Sequence, residues 1–219
     1  MRAWCESEGL GPDRARVYAA DVRDVPAMTA AGRACIATQG LPDVVIANAG
    51  ISHGVLTEAP EDLPVFRAVL ETNVLGIVYT FHPFLKAMRE RRQGVLVGVA
   101  SIAGFRGLPG SGAYSASKAA AISYLESLRV ELHGSGVAVV TICPGYVATP
   151  LTARNPYRMP FLLDPDVAAR RVARAIAARR RFCVVPWQMA IAGRVFALLP
   201  RPLYDRMLAR APRKPRRPD

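Results

Sequence analysis

Several signals that mark metal-binding, secreted or membrane-spanning proteins are missing from this 219-residue sequence. It has only four cysteines, and they show neither CxxC spacing nor the cysteine–histidine spacing of metal sites: Cys5, Cys35, Cys143 and Cys183. No secretory leader pattern opens the chain, and no apolar run reaches the ~20 residues of a membrane span. We therefore expect no metal, reduced cysteines and a cytoplasmic protein.

Acidic residues are scarce near the carboxyl end. Residues 170–219 contain 14 of the 29 Lys/Arg residues but only 2 of the 17 Asp/Glu residues, so they carry the whole net charge of +12. The final stretch, APRKPRRPD (211–219), is rich in proline and arginine, and we expect it to be disordered. The predicted organisation is one domain over residues 1–200 and a basic tail over residues 201–219.

Short β-branched runs alternate with longer segments that have helical apolar spacing. Near-continuous apolar strands are buried on both faces, and strands that alternate with helices form right-handed parallel crossovers. The sequence therefore predicts an α/β fold with an open, doubly wound parallel sheet of the Rossmann type. The predicted strands are ARVYAADV (15–22), DVVIANAG (43–50), GVLVGVAS (94–101), VAVVTICPG (137–145) and, more weakly, FCVVPW (182–187).

Polar or turn residues end the first four of these runs. They are Asp21, Asn48-Ala49-Gly50, Ser101 and Pro144-Gly145. A cap or turn explains any one of them. Ligands of such sheets bind at the carboxyl ends of the strands, however, so all four at one edge indicate a binding site.

A tyrosine and a lysine stand four residues apart in GSGAYSASKAAAISY (110–124). Residues with this spacing share one helix face, so Lys118 is expected beside Tyr114. A nearby cation favours the phenolate and lowers a phenol pKa from its usual ~10, which would create a proton donor that can be tuned. The alternative for an isolated YxxxK pattern is a tyrosine and a lysine on the surface of an amphipathic helix.

Taken together, these residues resemble the short-chain dehydrogenase/reductase family from about Asp21 to residue 150. The resemblance implies hydride transfer between a nicotinamide cofactor, NAD or NADP, and a carbonyl or secondary alcohol. The motifs that carry it are Asp21-Val22, ANAG (47–50), Asn73 in NVLG, Ser101, YSASK (114–118) and PGYVATP (144–150).

The resemblance assigns catalytic roles to four residues. Tyr114 is the acid/base, Ser101 binds the substrate oxygen, and Lys118 lowers the Tyr114 pKa and holds the nicotinamide ribose. Asn73 interrupts its helix so that a backbone carbonyl can hold a water of a proton relay. The positions implied to cradle the cofactor, besides Tyr114 and Lys118, are Asp21, Val22, Asn48, Ala49, Gly50, Pro144, Gly145, Val147 and Thr149.

One part of the family pattern is absent from these 219 residues. Family members begin with a strand, a TGxxxGxG turn, a helix and a second strand, and no such turn occurs here. We expect an N-terminally truncated fold in which VVIAN (44–48) is an unpaired edge, and a start codon assigned too far downstream is the favoured explanation. The competing hypothesis is an inactive remnant that serves as an interaction or membrane-associated protein.

The remaining expectations concern substrate and partners. Residues 151–169 resemble the family's variable lid, with Tyr157, Met159, Phe161 and Leu162 as apolar candidates for contact with a medium-sized hydrophobic carbonyl or alcohol. The helices predicted over 62–92 and 114–133 carry surplus apolar residues, which favours a homodimer or homotetramer.

The tail segment WQMAIAGRVFALL (187–199) is predicted to form a helix too short to cross a bilayer. It either packs on the protein or lies at an anionic membrane or against an acidic carrier protein. No nucleic-acid motif accompanies the basic residues, so no nucleic-acid partner is expected.

Overall fold

A computed structural model describes residues 2–11, 14–153, 155 and 157–216. Its centre is a parallel four-stranded sheet in which the strands lie in the order in which they occur along the chain. The sheet is flanked by helices, which confirms the predicted α/β fold class. The strands are β1 (Val44–Ala47), β2 (Gly94–Val99), β3 (Val137–Pro144) and β4 (Phe182–Val185).

The helices connect these strands and extend beyond the last of them. The helix predicted over 62–92 is two helices joined by a π-helical turn at Glu71–Leu75. None of the helices in the described part of the chain has the length and apolar character needed to cross a membrane. The helices are α1 (Arg2–Ser7), α2 (Val25–Gln39), α3 (Leu63–Leu70), α4 (Gly76–Arg91), α5 (Gly112–Glu131), α6 (Pro150–Ala153), α7 (Pro165–Ala177), α8 (Trp187–Leu198) and α9 (Arg201–Leu208).

The prediction of a strand at residues 15–22 is wrong. This segment has no regular secondary structure, and the Tyr18 hydroxyl instead hydrogen-bonds the Thr38 hydroxyl at the end of α2, at 2.6 Å. A strand requires a hydrogen-bonded neighbour, and no strand among the described residues pairs with this segment. As expected, β1 is left as an edge strand, with Val44 and Ile46 exposed.

Apolar side chains cover both faces of the sheet. On one face, α4 and α5 supply Ile77, Phe81, Leu125 and Leu128, which are buried against β1, β2 and β3. On the other face, α7 packs on β2 and β3. Helix α5 lies close to β2, since a Cβ added to Gly98 would come within 2.3 Å of Leu125 Cδ1. This close contact brings the first turns of α5 to the carboxyl edge of the sheet.

The residues after β4 fold back over that edge. Arg106, in the loop before α5, donates hydrogen bonds to the carbonyls of Phe196 and Leu199 at the end of α8, and its guanidinium lies 4.0 Å from the centroid of the Tyr204 ring of α9. One face of α8 therefore packs on the protein. Its opposite face is exposed.

Residues 211–216 were expected to be disordered, but the structure shows specific contacts for them. The Gly54 amide donates to the Pro215 carbonyl at 3.0 Å, and Arg216 forms ion pairs with Glu61 and Asp62. Proline restricts the unfolded chain, so ordering such a segment costs less entropy, and the ion pairs supply specific contacts. We call residues 213–216 the strap. Residues 217–219 lie outside the described residues.

Candidate active site

A cavity of about 300 Å³ opens at the carboxyl edge of the sheet. Three of the predicted site residues line it: Ser101 directly follows β2, Gly145 follows β3, and Tyr114 lies in the first turn of α5. Because parallel strands end at the same edge, these residues, far apart in sequence, meet at one place. Most of the remaining lining is apolar and comes from the loop before α5, the predicted lid and α8.

The side chains of Ser101 and Tyr114 both line the cavity. Burial raises the pKa of Tyr114 above its ordinary value of 10.0 and outweighs the opposite effect of the Ser101 hydroxyl, which favours the phenolate. The Ser101 hydroxyl accepts a hydrogen bond from the Ala103 amide, at 3.2 Å, which fixes its position at the end of β2. Tyr114 is therefore protonated at neutral pH and lies beside a second hydroxyl.

Lys118 lies behind Tyr114 and is 4% exposed. Its ammonium nitrogen donates to the Val99 carbonyl at 2.8 Å and lies 5.7 Å from the centroid of the Tyr114 ring. Burial lowers the pKa of Lys118 from 10.5 to about 8. The expected lowering of the Tyr114 pKa by Lys118 is not found: burial of the phenol raises this pKa, and the Lys118 amine lies over the ring.

Asn73 lies in the π turn and is completely buried. Its amide oxygen accepts from the Ile51 amide, and its amide nitrogen donates to the Ile51 carbonyl and to the Ser117 hydroxyl, each at 2.9 Å. These bonds join the interrupted helix to the loop after β1 and to α5. The helix is thus irregular where the family resemblance implies it, while the proton relay stays a prediction.

The predicted cofactor residues after β1 are exposed, and one of them, Gly50, lies beside Lys118. A Cβ added to Gly50 would lie 3.3 Å from Asn73 Oδ1 and 3.5 Å from Lys118 Nζ, so glycine permits this close approach. Asn48 and Ala49 precede it, and none of the three lines the cavity.

Asp21 and Val22 lie away from the cavity. The Asp21 carboxylate pairs with Arg23 at 2.7 Å, and the hydrogen bonds from Arg23 lower the pKa of Asp21 to about 2. Val22 packs against Gly76, the first residue of α4. The structure therefore places these two residues beside the chain segments around Asn73 rather than with Tyr114.

The predicted residues after β3 form a compact turn. Pro144 ends β3 and Gly145 lines the cavity, whereas Val147 and Thr149 do not. The Thr152 hydroxyl donates to the Val147 carbonyl and accepts from the Thr149 amide. This turn holds the cavity wall in place.

The predicted lid contributes part of the lining. Tyr157 and Phe161 face the cavity, while Met159 and Leu162 do not belong to the lining, and residues 154 and 156 lie outside the described residues.

Sequence reasoning missed Ser52 and Lys214, which also line the cavity. They hydrogen-bond each other across 162 residues of sequence, and no local pattern reports such a contact. No group of three or more His, Cys, Asp or Glu side chains able to hold a metal was found among the described residues.

A parallel α/β sheet with serine, tyrosine and lysine gathered at its carboxyl edge defines a Rossmann-like enzyme. The family comparison is more specific: a family model described as short chain dehydrogenase matches residues 3–158, and the chain belongs to this family.

Curated relatives carry oxidoreductase names. The chain is 45% identical over 175 residues to an uncharacterized oxidoreductase of Myxococcus xanthus, covering 79% of this chain and 68% of that protein. It is 33% identical over 172 residues to an acetoacetyl-CoA reductase of Acinetobacter sp., with coverages of 78% and 69%. It is 34% identical over 144 residues to a 2-dehydro-3-deoxy-L-rhamnonate dehydrogenase (NAD(+)) of Sphingomonas sp., with coverages of 66% and 58%. The protein is an oxidoreductase of the short-chain dehydrogenase family.

Proposed function

We propose that the protein reduces a carbonyl to a secondary alcohol, and catalyses the reverse reaction, with NAD or NADP as cofactor. The observation that carries the proposal is the presence of Ser101 and Tyr114 together at the wall of a largely apolar cavity, with Lys118 buried behind Tyr114. The oxidoreductase names of the relatives point the same way.

The residues around Tyr114 fit the nicotinamide end of such a cofactor. The exposed backbone at Gly50 lies next to Lys118, and Gly145, which follows β3, lines the cavity. When bound, a nicotinamide supplies or accepts the hydride. Lys118 would bind its ribose, and the turn from Pro144 to Thr149 would orient the ring.

Proton transfer is the task of this chain's own side chains. In reduction, the Ser101 hydroxyl donates a hydrogen bond to the substrate carbonyl, and the Tyr114 O–H bond breaks as its proton moves to the developing alkoxide. Tyr114, whose pKa burial raises above its ordinary value, carries this proton at neutral pH.

The test is to replace Tyr114 with phenylalanine, which keeps the ring but removes the proton. Turnover of a panel of ketones should fall by about 10²- to 10⁴-fold, while NADPH binding, measured by fluorescence titration, persists. The matched control is Tyr124→Phe, which removes a phenol from the same helix away from the cavity lining. Activity of Tyr114→Phe within tenfold of the parent would remove Tyr114 from its role.

The phosphate end of the cofactor requires a separate experiment. No TGxxxGxG turn occurs in the 219 residues, so we infer that they hold chiefly the nicotinamide end. In-frame translation upstream of Met1 would reveal such a turn roughly 30–40 codons back, given the size of a βαβ unit. A chain extended in this way should bind NADPH more tightly than the 219-residue chain; equal affinity would contradict the inference. A stop codon close upstream of Met1, together with no NADPH binding by the 219-residue chain, would favour the inactive-remnant hypothesis.

We also propose that α8 makes peripheral contact with an anionic membrane. Trp187, Ile191, Val195 and Leu198 are 54–84% exposed and recur every three or four residues along its outer face. Arg201 and Arg206 on α9 follow closely. This apolar stripe beside basic residues is typical of helices that lie in the headgroup region.

Co-sedimentation with vesicles of phosphatidylserine and phosphatidylcholine tests this contact. The protein should sediment at low salt and be released as salt rises, because the Debye length shortens to ~8 Å at physiological ionic strength. Trp187→Ser combined with Leu198→Ser should abolish sedimentation, whereas Val130→Ser, an equally exposed apolar site on α5, should not. Sedimentation unaffected by the double change would assign α8 to packing alone.

A further inference from the structure

The cavity contains a second lysine, which the proposed reaction does not use. Lys214 Nζ lies 5.7 Å from the centroid of the Tyr114 ring and donates a hydrogen bond to Ser52 Oγ at 2.8 Å. Both Lys214 and Ser52 line the cavity, and Ser52 is buried. A cation and a hydroxyl therefore stand together on the wall next to the proposed acid.

The backbone on both sides of Lys214 is fixed by specific contacts. The Pro215 carbonyl accepts the Gly54 amide at 3.0 Å, and Arg216 pairs with Asp62 at 2.9 Å and with Glu61 at 2.7 Å. Asp62 is buried and also accepts the Leu56 amide. The strap is thus anchored to the loop after β1, and this anchoring places the Lys214 amine in the cavity.

Among the residues that the structure describes, no carboxylate pairs with the charge of Lys214. None of the ion pairs formed within the described ranges includes Lys214, although Arg216, two residues later, has two acidic partners. An ammonium group has three hydrogens to donate, and Ser52 accepts only one. Burying a cation is costly unless it is paired, and burial accordingly lowers the pKa of Lys214.

We propose that Lys214 and Ser52 form a subsite for a carboxylate carried by the substrate. The proposal rests on the function proposed above, since it places the carboxylate on the molecule whose carbonyl faces Ser101 and Tyr114. The apolar remainder of the cavity, which includes Leu108 and Phe161, accepts a hydrocarbon chain. The substrate class is therefore an oxo acid with an apolar chain.

Calorimetric titration of the 219-residue protein with hexanoate and with hexanamide tests the subsite without cofactor or turnover. The two probes share their chain and differ in charge. The parent protein should bind hexanoate about tenfold more tightly than hexanamide, and Lys214→Met should erase that preference. Lys214→Arg should retain part of it, and Arg210→Met, which removes an exposed cation from the same tail, should retain all of it.

Three results would overturn the subsite: equal affinity of the parent protein for the two probes, binding of neither, or an unchanged preference in Lys214→Met. Thermal melts followed by circular dichroism confirm that each variant is folded. If the hexanoate preference holds but no ketone is ever reduced, the subsite stands and the proposed reaction fails. If neutral ketones are reduced and Lys214→Met leaves the KM for every oxo acid unchanged, the reaction stands and the subsite fails.

Discussion

At the scale of single residues, keeping the buried Lys118 protonated costs free energy. Lys118 is almost fully buried, and within the described part of the chain its ammonium group donates to the Val99 carbonyl rather than to a carboxylate. Burial lowers its pKa to about 8, whereas an unfolded lysine retains its proton to about pH 10.5. A neutral amine, or one paired with further oxygen atoms, is easier to accommodate here.

This burial makes stability depend on pH in a defined window. Between pH 8 and pH 10.5 the unfolded chain binds the extra proton at residue 118, so the free energy of unfolding rises with pH across that range and falls as pH drops back through it. The pKa difference corresponds to ~3 kcal/mol. Lys118→Met should remove this rise. The measurement is urea unfolding of the parent and the variant at several pH values.

Lys86 provides the control, because its side chain is 89% exposed. Lys86→Met should unfold with the same pH dependence as the parent protein. Parallel pH profiles for the parent protein and Lys118→Met would show that burial does not lower the pKa of Lys118.

The Tyr114–Lys118 pair shows which properties of the site can be predicted from residue spacing and which cannot. Helical spacing correctly predicted that the two side chains share a face, since α5 runs through both. It gave the wrong direction for the Tyr114 pKa, because desolvation depends on the cavity walls that distant segments supply. Lys214 could not be predicted at all, since its place depends on a strap anchored more than 150 residues away in sequence.

At the scale of secondary structure elements, the position of α5 on β2 determines the site. Gly98 Cα faces the fully buried Leu125, and a methyl group there would overlap the leucine side chain. Because α5 carries Tyr114 and Lys118, any outward shift of this helix moves both residues away from Ser101 at the end of β2.

We predict that Gly98→Ala lowers the free energy of unfolding by about 1–3 kcal/mol, as overpacking of a filled core does. The activity should fall with it. The double change Gly98→Ala with Leu125→Ala should recover part of the lost activity by restoring space. Urea unfolding and ketone reduction measure the two effects.

Gly112→Ala is the matched control within α5 itself, since an added Cβ there meets nothing within 4 Å. It should leave both stability and activity within the error of the parent. A Gly98→Ala protein as stable and active as Gly112→Ala would mean that α5 and β2 have room between them.

The predictions of secondary structure were correct where the residue pattern of a segment is enough to determine its conformation. The buried runs at β2 and β3 have apolar side chains on both faces and became strands. Residues 15–22 have a similar composition but did not form a strand, because no strand in the described chain pairs with them. Residues 211–216 have the composition of a disordered tail, but Arg216 forms an ion pair with the buried Asp62. In both cases a distant partner decided the conformation.

At the scale of the whole molecule, we propose that the chain forms a homodimer or homotetramer through α4 and α5. Most of the surplus apolar residues that favoured association are buried within the chain itself and cannot contact a second subunit. They are Ile77, Phe81, Leu125 and Leu128. Val74, Val78 and Ile122 are only partly buried, and Val130 is exposed. These four residues are apolar candidates for a subunit interface.

Light scattering after gel filtration at micromolar concentration should give two or four times the chain mass of 23.7 kDa. Ile122→Glu combined with Val130→Glu should convert the assembly to monomer, because a charge is costly to bury at an interface. Leu203→Glu, at an exposed site on α9, should leave the mass unchanged. A parent protein that is monomeric at this concentration would exclude association through these helices.

The order of the strands also determines which parts of the structure can form first during translation. Because β1, β2, β3 and β4 are neighbours in space in the same order in which the ribosome makes them, every new strand finds its partner already synthesised. The sheet and its two helical layers can therefore assemble progressively during translation. The strap pairs residue 216 with residue 62 and cannot close until nearly the whole chain has emerged. The cavity wall that contains Lys214 is thus completed last, over a framework that is already in place.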